Sequence, residues 1–235
     1  MSGQTLQPMA PPASADQSEP TRRLRLSLGL VAAIWLLGLI GHFTPLGEWP
    51  ANFLYVLGSL GLVIGYCRRN SSWQQIGITR KNLGAAMLWG GGIGLGLAAM
   101  DLFNTFTYYR SGGAPMAEMI SILVGLRLIY LFPVLVLAEE FLWRGMLFSA
   151  LLSRGVNKHL VVLLTTALYA LNHYAVAPVG MVERGLMAIM ALPIGILGGY
   201  LVLRTRNVWA SVAVHMLTFV SMVLDITLIP ILARG

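Results

Sequence analysis

Residues 131–148 read LFPVLVLAEEFLWRGMLF, an apolar run that contains three ionisable side chains, Glu139, Glu140 and Arg144. The run belongs to a longer apolar stretch, about 119–152, which exceeds the roughly 20 residues that one bilayer crossing requires. A surface helix of a soluble protein would alternate this apolar character with a polar face, and no such face is present. We therefore predict a helix that lies inside a membrane protein.

Six further runs share this apolar character, at about 26–43, 51–67, 83–103, from 160 onward, 186–203 and 208–232. Hydrophobic residues make up 57% and charged residues 11% of the 235 residues, against about 45–50% and 25% in an ordinary soluble domain. So few charges cannot cover a water-facing surface, which excludes a soluble globular protein. The runs also lack the period-two segments of a membrane β-barrel. The sequence predicts an all-α, polytopic transmembrane helix bundle with about seven to eight spans.

The basic residues indicate the orientation of the chain. Eleven of the 16 Lys and Arg residues fall at one set of alternating run ends, three at the other set, and two within the fourth stretch. Because cytoplasmic loops of membrane proteins are enriched in Lys and Arg, we predict a cytoplasmic N-terminus. The net charge of +7 does not indicate nucleic-acid binding, because the basic residues sit at run ends and not on one face.

The chain divides into two parts by composition. Residues 1–21 are rich in proline and polar side chains and are predicted to be a disordered cytoplasmic tail. Residues 22–235 are predicted to form one transmembrane helical domain. Within it, Gly90/Gly94 and Gly92/Gly96 have the small-xxx-small spacing that lets helices approach closely in lipid.

The glutamate pair in the fourth stretch is the strongest candidate site, because ionisable groups are costly in hydrocarbon and usually functional there. On an α-helix Glu140 and Arg144 are four residues apart and share a face, so they can pair. Glu139 points about 100° away. We expect Glu140 to be the structural partner of Arg144 and Glu139 to be the free carboxylate, available as a general base.

Two histidines in other apolar runs are candidates to join this carboxylate. His173 follows Tyr169 by four residues on one helix face, and His215 lies in the last run. If the fifth helix ends near Ala177, His173 lies toward the outside of its span, whereas Glu139 lies toward the inside. His42 and His159 fall at predicted span ends and are interpreted as interfacial.

These motifs resemble the CAAX-protease and bacteriocin-processing family of glutamate intramembrane proteases, which is related to the CAAX prenyl endopeptidases. The resemblance rests on Glu-Glu-x-x-x-Arg at 139–144, aromatic-x-x-x-His at 169–173 and the later His215, in the same order. It covers about residues 80–225. It implies that this chain is a peptide hydrolase that acts inside the membrane, on a membrane-associated peptide or protein.

The resemblance also implies roles for individual residues. Glu139 would activate a water with help from His173, and His215 would help to stabilise the oxyanion. Glu140, Arg144 and Tyr169 would shape the site. No cofactor and no metal are implied, the surroundings are the lipid bilayer, and a bacterial inner membrane is the expected location. The sequence does not indicate an oligomeric state.

The third motif departs from the family pattern. The family usually has asparagine four residues after the histidine, where this chain has Phe219. A phenyl ring cannot donate a conventional hydrogen bond, so an oxyanion donor would have to come from elsewhere. The possible donors are Thr218, Asn172, Ser211 and Asn207.

Three other functions are consistent with parts of the pattern. A zinc-dependent hydrolase could use Glu139, Glu140, His173 and His215 as ligands, although no H-E-x-x-H motif is present. A non-catalytic immunity or scaffold protein could keep the glutamate–arginine pair without turnover. A transporter would be favoured by internal transmembrane repeats, which the sequence does not show.

Overall fold

The computed structural model describes residues 18–125 and 127–234, and this part of the chain is a bundle of long helices. They are α1 (Ser18–His42), α2 (Trp49–Asn70), α3 (Leu83–Arg110), α4 (132–153), α5 (Lys158–Val176), α6 (Met181–Thr205) and α7 (Trp209–Thr227). Short helical turns at 117–125, 128–130 and 229–234 complete the described chain. The predicted tail overlaps α1 from Ser18 onward, and its residues 1–17 lie outside the described part.

Six of these helices, all except α4, are long and apolar enough to cross a membrane. The chain is an integral membrane protein with an all-α fold, as predicted. The count of six is lower than the expected seven to eight because α4 carries Glu139, Glu140 and Arg144. Both glutamates and Arg144 are buried inside the bundle, so the helix that holds them is shielded from lipid by its neighbours.

The fourth apolar stretch is not one continuous helix. Arg127 adopts a left-handed backbone conformation (φ 56°) and is followed by a short turn at Leu128–Tyr130. Helix α4 then begins at Phe132 with Pro133 in its first turn, where the missing N–H of proline costs no hydrogen bond. Glu139 consequently lies two turns from the start of its helix.

The middle of α4 is wider than an α-helix. Residues Phe141–Leu147 form a π-helical segment, and every side chain in it is buried. Segments of this kind are rare and occur frequently at functional sites. The indole of Trp143 donates a 2.6 Å hydrogen bond to the hydroxyl of Tyr55 on α2, which fixes the helix against its neighbour next to the glutamate pair.

Helices α3 and α7 pack closely through one of the two predicted glycine pairs. A Cβ atom on Gly90 would overlap the backbone of Ala210, and one on Gly94 would press on Leu217. Gly92 has open space at the same position, as does Gly96. The small-residue spacing therefore predicts the contact correctly for 90/94 and not for 92/96, because only one face of α3 meets α7.

Helix α5 ends soon after His173. Its last residue is Val176, Ala177 is extended, and α6 begins at Met181 beyond Pro178. An extension of α5 to about residue 182 would be one way to bring His173 level with Glu139, and the structure does not use it. The packing of α4 against α5 and α7 instead brings the carboxylate of Glu139 within 4 Å of both His173 and His215.

A buried ion pair holds the connection between α5 and α6. Arg184 is hydrogen-bonded to Glu48, and its Nε donates to the carbonyl oxygen of Val179 at 2.9 Å. His42 lies 3.4 Å from the same carboxylate, so it makes a specific contact at the span end where it was predicted to be interfacial. Burial raises the pKa of Glu48, but the hydrogen bond and charge of Arg184 outweigh it and leave that pKa below its usual value.

Because its folded-state pKa is lowered, Glu48 should make stability depend on pH. Its contribution is complete above about pH 4.5, the ordinary value, and is lost as the pH falls through the lower folded-state pKa. We expect Glu48→Gln to lower the melting temperature by about 2–4 °C at pH 7. The difference from wild type should shrink in detergent melts below pH 4. The exposed Glu118→Gln should show no such difference; equal behaviour of the two variants would contradict the prediction.

Candidate active site

The carboxylate of Glu139 lies where α4, α5 and α7 meet. It is buried, and its Oε2 accepts a 3.0 Å hydrogen bond from the hydroxyl of Tyr169. Two imidazole nitrogens face it, Nε2 of His173 at 3.8 Å from Oε1 and Nε2 of His215 at 3.7 Å from Oε2. The structure thus brings both histidines within one water-bridge of this carboxylate.

Glu140 faces a different set of partners. Its Oε1 lies 2.9 Å from Nδ1 of His215, and its Oε2 accepts a 2.5 Å hydrogen bond from Ser211. Arg144 is 3.5 Å away. His215 therefore connects the two glutamates, one through each ring nitrogen, while Glu140 alone contacts the arginine.

The guanidinium of Arg144 is fully enclosed. It lies over the ring of Tyr169, with 4.3 Å from Cζ to the ring centroid, and none of its three nitrogens makes a hydrogen bond with the described residues. The π-helical segment widens the turn between Glu140 and Arg144, so the pair meets as a charge contact without hydrogen-bond geometry. Charge neutralisation and the cation–π contact are therefore what hold this side chain.

The tautomer of His173 follows from its surroundings. Its Nδ1 is 3.0 Å from the backbone carbonyl oxygen of Tyr169. A carbonyl can only accept a hydrogen bond, so Nδ1 carries the proton and Nε2 presents a lone pair toward Glu139. The ring also packs edge-on against Tyr169, at 4.5 Å between centroids. With 18% of its side chain exposed, against 3% for Glu139, His173 is the more accessible of the two.

Phe219 fills the position where the family usually has asparagine. It is buried and stacks on Phe132, with centroids 4.7 Å apart and planes 7° from parallel. Since Phe219 is one turn from His215 and Phe132 is two turns from Glu139, the two rings form an apolar wall beside the cluster.

Three of the four possible oxyanion donors already donate to another group, and the amide of Asn172 does not. Thr218 donates to the carbonyl of His215 at 2.8 Å, and Ser211 donates to Glu140. Asn207 donates to the carbonyls of Thr79 and Lys81. The remaining candidate, Asn172, accepts through its side-chain oxygen from the indole of Trp35 at 3.0 Å, and its buried Nδ2 makes no hydrogen bond with the described residues. None of these contacts points the hydroxyl or amide at Glu139.

A second pair of carboxylates, Asp101 and the buried Asp225, was missed by the sequence reasoning. Ser221 on α7 donates a 2.8 Å hydrogen bond to Asp101 on α3, and Asp225 lies buried beside Asp101, with which it interacts. The rule that singled out Glu139 would have found both, because each is an acidic residue in a long apolar helix. Asp225 lies about 15 Å along α7 from His215, so this pair is separate from the glutamate cluster.

The zinc alternative can be compared with the donor geometry. Among residues 18–125 and 127–234, no three His, Cys, Asp or Glu side chains converge in an arrangement that would hold a metal ion. Glu140 is occupied by His215, Ser211 and Arg144. The donor set therefore does not fit a zinc site, and no chemical step is derived through one.

Comparison with known proteins gives one match. A model of the family described as "Type II CAAX prenyl endopeptidase Rce1-like" matches residues 121–220. No curated protein and no solved structure matches the chain. The matched segment lies inside the 80–225 region of the resemblance and includes Glu139, His173 and His215. The segment that carries this site is therefore similar to the Rce1-like family of CAAX proteases.

Proposed function

We propose that the protein is a glutamate-type intramembrane endopeptidase, in which Glu139 activates a water to hydrolyse a peptide bond of a membrane-associated peptide or protein. The observation that carries the proposal is the placement of two imidazole nitrogens within 4 Å of one buried carboxylate. Because Arg144 pairs with Glu140 and not with Glu139, the carboxylate of Glu139 is suited to accept a proton.

The tautomer of His173 determines where a nucleophilic water would bind. Its Nε2 lone pair and the carboxylate of Glu139 are both acceptors, 3.8 Å apart. A water that donates one proton to each would be held with its oxygen lone pairs free. Because the ring of His173 is the more exposed side of the cluster, the scissile bond would approach from that side.

In the first step, Glu139 takes a proton from the water as the oxygen attacks the carbonyl carbon of the substrate. A tetrahedral intermediate with a negative oxygen results. His215 donates Nδ1–H to Glu140, and its protonated Nε2 would face the developing oxyanion. The carbon–nitrogen bond then breaks as Glu139 passes its proton to the leaving amine.

Glu140, Ser211 and Arg144 act as positioning residues in this mechanism. The carboxylate of Glu140 accepts hydrogen bonds from Ser211 and His215, which fix its position. This carboxylate in turn orients the imidazole of His215. Arg144 neutralises the second negative charge, so Glu139 is left as the reactive one of the pair.

Tyr169→Phe tests the hydroxyl that contacts the proposed base. The phenyl ring would keep the packing against Arg144 and His173, while the 3.0 Å hydrogen bond to Glu139 is lost. We expect turnover to fall about tenfold, the equivalent of about 1.4 kcal/mol, because the carboxylate loses one orienting contact. Unchanged turnover in steady-state assays of the purified variant would show that the hydroxyl has no part in the reaction.

A non-catalytic immunity or scaffold protein is the second candidate, and Phe219 is the observation that favours it. The stack on Phe132 places an apolar ring where the family supplies a donor. If this candidate is correct, Glu139 contributes no cleavage.

Comparative peptidomics of cells separates the two. Membrane fractions from cells with wild type, Glu139→Ala and the exposed control Glu118→Gln would be compared by mass spectrometry. The protease proposal requires a peptide terminus that appears with wild type and Glu118→Gln and is absent with Glu139→Ala. Identical peptide sets in all three would overturn it in favour of the non-catalytic candidate.

We place the protein in a bacterial inner membrane with its N-terminus cytoplasmic. The support is the apolar length of the helices and the excess of Lys and Arg at one end of the bundle.

A further inference from the structure

A basic cavity lies at the end of the bundle opposite the Glu48–Arg184 pair. It measures about 890 Å³ and is bounded by the ends of α4, α5 and α6 and by residues 74–77 of the connection between α2 and α3. Four of its lining residues are Lys or Arg: Arg144, Lys158, Arg204 and Arg206. Among the described residues that line it, none is acidic. Arg144 pairs with Glu140 behind the cavity wall, so the charge that the lining leaves unbalanced is that of Lys158, Arg204 and Arg206.

Arg144 forms the inner wall of this cavity. Its side chain is 1% exposed, and its three nitrogens make no hydrogen bond with described residues. Glu140 offsets the charge of Arg144, so the positive potential of the cavity comes from the exposed Lys158, Arg204 and Arg206. Ser149, Ser153 and Tyr200 also line the cavity, but the two serine hydroxyls accept from Arg23 and the tyrosine hydroxyl contacts His159. The exposed cations therefore favour a phosphate over an uncharged group.

The rest of the lining is apolar, with Phe148, Leu152, Val202 and Leu203 next to the cations. The outer surfaces of α5 and α6 at the same end carry exposed apolar side chains, among them Leu160, Leu163 and Tyr200. An apolar surface that continues from the cavity onto the outside of the bundle suits a ligand with both a charged head and acyl chains.

We propose that this cavity binds the phosphate of an anionic phospholipid, with Lys158 and Arg206 as its exposed contacts and its acyl chains along α5 and α6. The orientation proposed above places the cavity in the cytoplasmic leaflet, where anionic lipids meet basic pockets between helices. This proposal does not depend on proteolysis, because its readout is the binding of lipid.

The test compares lipid binding to the full-length protein by native mass spectrometry from detergent. The probes are dioleoylphosphatidylglycerol, dioleoylphosphatidylcholine and sn-glycerol 3-phosphate. The test variant is Lys158→Gln/Arg206→Gln, whose residues are both exposed. The matched control is Arg68→Gln/Arg69→Gln, which removes the same charge at the same end but outside the cavity lining. Arg204 is left in place because it packs over Trp89 at 4.0 Å.

We expect wild type and the control to bind phosphatidylglycerol at least tenfold more tightly than phosphatidylcholine. In the test variant this preference should disappear. On the wild type, sn-glycerol 3-phosphate should not compete with phosphatidylglycerol. Equal losses in both double variants would show a general surface attraction and overturn the proposal. If sn-glycerol 3-phosphate competes at the same concentration as the lipid, the cavity binds a free phosphate compound and the phospholipid proposal is overturned.

Discussion

Glu139→Gln in the purified protein is expected to lower kcat by about 10²–10⁴-fold, the usual contribution of a general base. The amide has the same shape as the carboxylate and can still accept the hydrogen bond from Tyr169. It cannot take a proton from water at neutral pH. Steady-state assays with a membrane-embedded peptide substrate would measure the loss, together with a melting curve that shows the fold is retained.

The control for this prediction is Glu118→Gln, an exposed carboxyl-to-amide change far from the site. It should keep full turnover. A Glu139→Gln variant that retains wild-type kcat would overturn the proposed role of this residue, and with it the mechanism. Assays with and without a chelator, alongside metal analysis of the purified protein, would test the zinc alternative in the same experiment.

Arg144→Met is expected to destabilise the protein by about 3–5 kcal/mol. Arg144 and Glu140 are 1% and 0% exposed, so removing the guanidinium leaves a buried carboxylate without its positive partner. The loss of the contact with the ring of Tyr169 adds to this cost. Denaturant titration of the protein in detergent would measure the change in the free energy of unfolding.

The double variant Glu140→Gln/Arg144→Met should recover most of this loss, because no unpaired charge is then buried. The side-chain amide introduced at position 140 can still accept a hydrogen bond from His215 through its oxygen, and its amino group can donate to the hydroxyl of Ser211. Arg110→Met, at an exposed position at the end of α3, is the matched control and should change stability little. Equal destabilisation by the single and double variants would contradict the charge argument.

The sequence was most informative about ionisable side chains in apolar runs, because charged groups are costly in an apolar environment. Glu139, His173 and His215 are ionisable groups in runs with few others, and the structure brings them into one cluster. The assignment of a role to each of them stays a prediction. The same rule, applied to every apolar run, would also have found Asp101 and Asp225.

Element boundaries were less predictable. Hydropathy measures apolar character and does not distinguish a continuous helix from a helix preceded by a turn, so it does not divide the stretch 119–152 at Arg127. The start of α4 at Phe132 places Glu139 two turns into its helix. The π-helical segment Phe141–Leu147 had no sequence signal, because the same side chains are compatible with either type of helix.

The sequence by itself determined the membrane-embedded helical class and the pairing of Glu140 with Arg144, because composition and helical period act over neighbouring residues. The tertiary structure alone decided that His215 connects both glutamates and that Ser211 binds Glu140, 71 residues away. It also decided that Arg184 meets Glu48 and that Phe219 stacks on Phe132. Such contacts join side chains from different helices, and their geometry depends on how whole helices pack rather than on any local pattern.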